Sequence, residues 1–129
     1  MDNDLIYIVA GDMMKDLLHK KNESLSIIPF REDLSKGSYE GYKFSKEFIE
    51  NRAKVFNVSY DLYYQNIKPI INLDLSKDYI LMFGEDDCCK ANLNFMLNYL
   101  KDKGYKKTIL VKIVDEYNLS LIREYKVEM

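Results

Sequence analysis

The fold is decided by the stretch YILMFGEDDCCKANLNFMLNYL, residues 79–100. It begins with an uninterrupted apolar run, Tyr79–Phe83, which is typical of a strand that is covered on both faces. Gly84 and three acidic residues then form a turn, and a helix with one apolar face follows, opened by Cys88 and Cys89. Strand–loop–helix units of this kind build open parallel sheets, in which ligands bind at the loop. The pattern therefore predicts an architecture and the position of a site, but no reaction.

The same alternation of strands and helices extends over the whole chain. The predicted strands are Leu5–Ala10, Leu25–Ile28, Tyr79–Phe83, Thr108–Val114 and an edge strand within Leu119–Val127. The predicted helices are 12–21 with Asp12 as its cap, one carrying Phe44 and Phe56, one from the cap Ser59 to a stop at Pro69, and one ended by Gly104. Such alternation implies right-handed crossovers. We therefore predict one α/β domain over residues 1–129, with a three-layer, open, mainly parallel, Rossmann-like sheet whose last strand could be an antiparallel edge strand.

Composition limits the classes of partner. The 19 basic and 21 acidic residues are interspersed, so no basic stripe indicates a nucleic-acid partner. No apolar run approaches the roughly 20 residues that a membrane helix needs, and the acidic start Met1–Asp4 does not fit a signal peptide. The two cysteines are adjacent and form no disulfide framework. We expect a cytoplasmic protein with reduced cysteines and with neither a nucleic acid nor a membrane as partner.

Charged residues follow the end of each of the first four predicted strands. They are Gly11-Asp12, Arg31-Glu32-Asp33, Glu85-Asp86-Asp87 and Asp115-Glu116. Because the carboxyl ends of parallel strands meet at one edge of a sheet, these groups are expected to gather where ligands bind. Clustered carboxylates repel one another unless a divalent cation or a cationic side chain relieves them. Arg31 and Lys36 supply positive charge that suits a phosphate or a carboxylate.

A purely structural interpretation explains several of these residues equally well. Asp is preferred where a strand turns into a helix, because it caps free backbone amides and opposes the helix dipole, which accounts for Asp12 and for Asp86 or Asp87. The dipole lowers the pKa of a thiol at Cys88 or Cys89, but His19 lies on another helix, so a Cys–His mechanism is not expected. The sequence contains neither G-x-G-x-x-G nor G-x-x-x-x-G-K-[ST], which disfavours classical dinucleotide and P-loop binding.

Three segments together resemble a known family. They are IYIVAGD at residues 6–12, IPFREDLSKG at residues 28–37 and ILMFGEDDCCKANL at residues 80–93. In order and spacing they are similar to the bacterial family called domain of unknown function 1835, over most of the chain to about Val114. The resemblance implies a site at Gly11, Asp12, Arg31, Asp33, Gly37, Asp86 and Asn92. Met82, Cys88 and Cys89 depart from the family pattern, which argues against a thiol mechanism. The family has no established activity, so the resemblance bears on fold and site position only.

Two functional hypotheses follow. In the first, the protein binds a small anionic or nucleotide-like ligand at the carboxyl edge, with or without a divalent cation. Asp12, Asp33 and Asp86 would be the carboxylates. Arg31 would grip the anion, and Asn92 would orient the ligand or a capping loop. In the second, the protein is a non-catalytic interaction or regulatory module whose polar residues hold the long loop and cap helices. The sequence specifies no cofactor or metal and leaves open whether the protein is an enzyme.

Overall fold

The computed structural model describes residues 4–129, and Met1–Asn3, where the N-terminal prediction falls, lie outside the described residues. This range contains five strands and four helices. Their order is β1 (Leu5–Val9), α1 (Asp12–Lys21), β2 (Ser26–Pro29), α2 (Lys46–Val55), α3 (Tyr60–Ile71), β3 (Asp78–Phe83), α4 (Asp87–Asp102), β4 (Thr108–Val114) and β5 (Leu121–Glu128). The segment between β2 and α2 has no regular secondary structure, as predicted for the long loop.

The strands form one mixed sheet in the order β2-β1-β3-β4-β5. The first four strands are parallel, and β5 pairs with β4 in the antiparallel direction. Val9 pairs with Pro29 on one side and with Met82 on the other, so β1, β2 and β3 end at the same edge. The predicted α/β class, the mainly parallel sheet and the antiparallel edge strand are therefore confirmed.

Apolar side chains pack on both faces of the sheet, which gives three layers. Alternate residues of a strand point to opposite faces, so neighbouring residues of β1 contribute to different clusters. Ile8 belongs to the larger cluster, with residues of α2, α3 and α4. Val9 belongs to the smaller cluster, with Met14 and Leu18 of α1. Because helices cover both faces, the carboxyl edge of the sheet stays accessible between them.

Three local predictions are wrong. Pro69 does not end its helix, since α3 continues to Ile71, and the complete burial of Ile70 stabilises this last turn beyond the proline. Phe44 is not helical: it has a positive φ of 62°, and Ser45 is the N-cap of α2. Asp12 does not cap α1, because Gly11 occupies the N-cap position and Asp12 is bound by an arginine instead.

Two other predicted helix boundaries are confirmed. The Ser59 hydroxyl accepts a hydrogen bond from the Leu62 amide at the start of α3, as expected of an N-cap. Gly104 follows the end of α4 with a φ of 86°, a conformation that glycine adopts without strain. Across residues 4–129, no helix is both long enough and apolar enough to cross a membrane.

Candidate functional site

An ion pair joins the loops that follow β1 and β2. The Nε of Arg31 donates to Oδ2 of Asp12 at 3.0 Å, and Nη2 donates to Oδ1 at 2.9 Å. This hydrogen bonding lowers the pKa of Asp12 and raises the pKa of Arg31. The side chain of Asp12 is 60% exposed and that of Arg31 is 34% exposed, so the ion pair contributes little to folding stability. Its main effect is to hold the guanidinium in one orientation at the edge of the sheet.

The N-terminus of α1 lies beside this pair and has no side-chain cap in the described chain. Gly11 adopts a φ of 91°, and a Cβ placed on it would meet no atom within 4 Å, so the space above it is open. The first-turn amides of a helix carry partial positive charge and hydrogen-bond to anions. Asp12 supplies one negative charge here, and the free amides leave room for a second acceptor.

A cavity of about 450 Å³ opens on the other side of Arg31. It lies between the long loop and the segment that joins α2 to α3. Its walls are formed by Arg31, Glu32, Asp33, Phe56, Val58, Tyr63 and Asn66. Apolar side chains with a few polar groups are the usual lining of a small-molecule site. Arg31 therefore touches both the cavity and the carboxylate at the start of α1.

A buried ion pair beneath this cavity fixes the long loop. Arg52 of α2 donates from Nη2 to Oε1 of Glu32 at 2.7 Å and from Nε to Oε2 at 3.0 Å, and both side chains are fully buried. The Tyr63 hydroxyl also donates to Glu32, and burial raises the pKa of Tyr63. The remaining Arg52 donors bind the loop carbonyls of Asp33, Lys36 and Ser38. We call these contacts of Arg52 with Glu32 and with the loop carbonyls the clamp, and sequence reasoning missed them. Their one signal was a charged residue, Arg52, four positions after Phe48 on the apolar side of the helix.

Asn92 holds the same loop from the opposite side. Its Nδ2 donates to the Glu32 carbonyl at 2.6 Å, and its Oδ1 accepts from the Leu34 amide at 3.0 Å. The side chain is 1% exposed. Both ends of the amide are therefore engaged by the backbone of the loop; the predicted role of Asn92, which was to orient the ligand or a capping loop, stays a prediction.

Asp33 and Gly37 shape the loop itself. Asp33 accepts hydrogen bonds from the Ser35 amide and hydroxyl, which hold its pKa below the usual value although desolvation acts in the opposite direction. Gly37 has a φ of 65°, and an added Cβ would lie 2.8 Å from Cγ2 of Val55. The left-handed backbone and the close approach to α2 both require glycine at this position.

A second polar group occupies the loops after β3 and β4. Asp86 is the N-cap of α4 and accepts from the Cys89 amide at 2.7 Å, so of the alternatives Asp86 and Asp87 it is Asp86 that caps the helix. One ligand atom each from Asp86, Cys89 and Glu116 lies within 4.8 Å of the others. That backbone hydrogen bond lowers the pKa of Asp86, while hydrogen bonding to Asp86 raises the pKa of Glu116. Of the two carboxyl groups, Glu116 is therefore the one that protonates at the higher pH.

The expectation that the helix dipole lowers the thiol pKa values is wrong. Desolvation, followed by the nearby carboxylate of Asp33, raises the pKa of Cys88 to about 12. Desolvation also raises the pKa of Cys89. Because the nucleophile is the thiolate, the raised pKa values keep both cysteines in the protonated, unreactive form.

Glu116→Gln is expected to stabilise the protein at pH 7 and to have little effect at acidic pH. Since the folded state raises the pKa of Glu116, the stability linked to its protonated form is lost as pH rises through that pKa. Glutamine mimics the protonated group at every pH. The free energy of unfolding at pH 7 should therefore rise, but by less than about 1 kcal/mol, because this position is half-exposed. Urea unfolding at several pH values, with the exposed Glu50→Gln as control, measures this. A less stable variant at pH 7 would contradict it.

The structure divides the predicted site residues among three groups along one edge. Asp12 and Arg31 bind each other next to Gly11. Asp33, Gly37 and Asn92 belong to the loop, and Asp86 belongs to the second polar group. Within residues 4–129, no hydrogen bond or ion pair joins Asp12 to Asp86. Glu116 completes this second polar group; the sequence placed it among the acidic residues of the edge but did not single it out as a site residue.

Comparison with models of known families, with curated proteins and with solved structures finds no match. The similarity to the domain of unknown function 1835 family therefore stays a prediction, and a functional argument has to start from the geometry of the edge.

Proposed function

We propose that the protein binds a small anionic or nucleotide-like ligand at the carboxyl edge of the sheet, with Arg31 as the main anion-binding residue. The observation that carries the proposal is the position of Arg31 between the uncapped N-terminus of α1 and the cavity of about 450 Å³. A ligand with an acidic group and an apolar body matches these two environments.

The chemistry of Arg31 supports this assignment. Two of its nitrogens are held by Asp12, whereas Nη1 has no hydrogen-bond partner among residues 4–129. A guanidinium that is already oriented loses little conformational freedom when it binds a phosphate or a carboxylate. The acidic group would accept from Nη1 and from the first-turn amides of α1, as anions do at helix N-termini. The apolar part would pack against Phe56 and Val58 in the cavity.

A divalent cation that accompanies the ligand would bind at the second polar group, away from Arg31. Asp86 and Glu116 provide the hard oxygen ligands that Mg²⁺ and Mn²⁺ prefer. Cys89 fits such a cation poorly, because its thiol is buried and its raised pKa disfavours the thiolate. The proposal therefore assigns cation binding to the two carboxyl groups and no role to the cysteine.

A ligand screen with a matched pair of variants tests the proposal. Inorganic phosphate and a panel of nucleoside mono- and triphosphates, with and without Mg²⁺ or Mn²⁺, are expected to include a compound that raises the melting temperature. A ligand at 100 times its Kd adds about 2.7 kcal/mol to stability. Arg31→Ala should weaken binding of that compound by about 10-fold to 100-fold, the loss expected for one charged hydrogen-bonding group.

The control is Lys36→Ala, which removes a positive charge from the same loop at a side chain that is 74% exposed. It should leave the Kd within about twofold, because a mobile surface charge contributes little. Titration calorimetry on the three proteins gives the comparison. Equal losses in both variants would indicate nonspecific attraction and contradict a site at Arg31.

The alternative is a non-catalytic interaction or regulatory module. It is favoured by the local hydrogen bonds of Asp33, Asn92 and Asp86, each of which already has a structural role in the loop or at a helix end. If no compound in the screen changes the melting temperature, and Asp33→Ala and Asp86→Ala only lower stability, this alternative replaces the ligand proposal.

A further inference from the structure

The strand β5 leaves a long sheet edge exposed. It has eight residues and pairs only with β4 in the described part of the chain. Leu121, Ile122 and Tyr125 are 56%, 46% and 39% exposed. The opposite edge strand, β2, has four residues and ends in Pro29, which limits pairing there. A long, exposed edge strand with apolar side chains is a template for pairing with another chain.

We propose that β5 pairs in the antiparallel direction with β5 of a second copy, which joins two sheets into one of ten strands. This surface is separate from the edge at Arg31, and the inference does not depend on the proposed ligand. A two-fold axis perpendicular to the sheet leaves every side chain on its original face. Opposed residues in an antiparallel pair share a face, so one residue of β5 must lie directly opposite its own copy.

The charges of β5 rule out three residues for that position and favour a fourth. A pair centred on Arg123, Glu124 or Lys126 would place two like charges directly opposite each other, which destabilises a sheet. A pair centred on Tyr125 has an uncharged residue on the axis. It also places each Glu124 opposite Lys126 of the second copy, so that two attractive pairs form by symmetry. Charged residues on an edge usually prevent association, but in this register their signs are complementary.

Packing on the helical face supports the same register. Tyr125 lies opposite Val111 of β4, which belongs to the core beneath α4. Tyr125 and Leu97 line a groove of about 240 Å³ between β5 and α4. With Tyr125 on the axis, the two rings would be neighbours with Cβ atoms about 4.5–5.5 Å apart, and cross-strand aromatic pairs of this kind are stabilising. The groove would then be continuous across the two copies.

Charge reversal tests the register. Sedimentation velocity over a range of concentrations should show a reversible dimer of the full chain. Lys126→Glu should weaken dimerisation by about tenfold, because two attractive pairs become repulsive. The double variant Glu124→Lys/Lys126→Glu should restore it, since the opposed charges again have opposite signs.

Lys46→Glu, at an exposed side chain of α2, is the control and should dimerise like the original protein. Glu124 also pairs with Lys112 within the sheet, so an unfolding curve for each variant verifies that it is folded.

Disulfide trapping gives an independent readout. Tyr125→Cys should form a covalent dimer on mild oxidation, because each new thiol lies opposite its copy. Arg123→Cys is the matched control: it is on the same face of the same strand, but this register places it opposite Val127. A protein that remains monomeric at millimolar concentration would overturn the proposal. So would equal cross-linking of the two cysteine variants, or a dimer that does not respond to charge reversal.

Discussion

Replacing Arg52 with methionine is expected to lower the free energy of unfolding by about 3–5 kcal/mol, the loss typical when one partner of a buried ion pair is removed. The Glu32 carboxylate would lose its ion-pair partner at a position with no solvent access, and three loop carbonyls would lose their donors. Methionine preserves most of the side-chain length, so the loss reflects charge and hydrogen bonding more than volume. Urea unfolding followed by circular dichroism measures it.

Two further variants make this prediction specific. Lys46→Met changes an exposed cation on the same helix and should alter stability by less than about 0.5 kcal/mol. In a double-mutant cycle, Arg52→Met combined with Glu32→Gln should be much less destabilised than the sum of the single variants, because the uncompensated charge is gone. A loss below about 1 kcal/mol for Arg52→Met, or additivity in the cycle, would contradict the clamp.

Asn92→Leu is expected to lower the free energy of unfolding by about 2–4 kcal/mol, because it removes the hydrogen-bond partner of one buried and one partly buried backbone group, at roughly 1–3 kcal/mol each. Those groups are the Glu32 carbonyl and the Leu34 amide. Leucine has nearly the same volume, so no cavity forms. Hydrogen exchange should locate the effect, with faster exchange of the Leu34 amide than in the original protein.

Asn98→Leu is the matched control for this variant. It makes the same change on the same helix, α4, but at an exposed position. Its effect on the free energy of unfolding should lie within about 0.5 kcal/mol. Equal losses for Asn92→Leu and Asn98→Leu would show that helix propensity, and not the loop contact, determines the result.

These two stability predictions separate loop support from ligand binding. Arg52 and Asn92 hold the backbone of the loop that carries Arg31, so their variants should lose stability with or without a ligand. Arg31 is half-exposed and should affect the Kd with little change in stability. A site residue is thus recognised by an effect on binding without an equal effect on folding.

Local sequence patterns predicted the elements because the signals that form them are local. The branched and apolar runs of β1, β3 and β4, the caps Ser59 and Asp86, and the stop at Gly104 each depend on residues within a few positions. The prediction failed at Pro69 and Phe44, where contacts with the core override local preference. Asp12 was misassigned for a related reason, since its partner Arg31 lies 19 positions away.

The sequence by itself determined the α/β class, the order of the elements and the edge of the sheet where charged residues gather. It did so because burial periodicity and turn chemistry act over short distances along the chain. Only the tertiary structure decided which charges meet: Arg52 reaches Glu32 over 20 positions, and Asn92 reaches the Glu32 carbonyl over 60. Such pairs depend on how helices pack against the sheet, and a buried charge has to find its partner in space, wherever that partner lies along the chain.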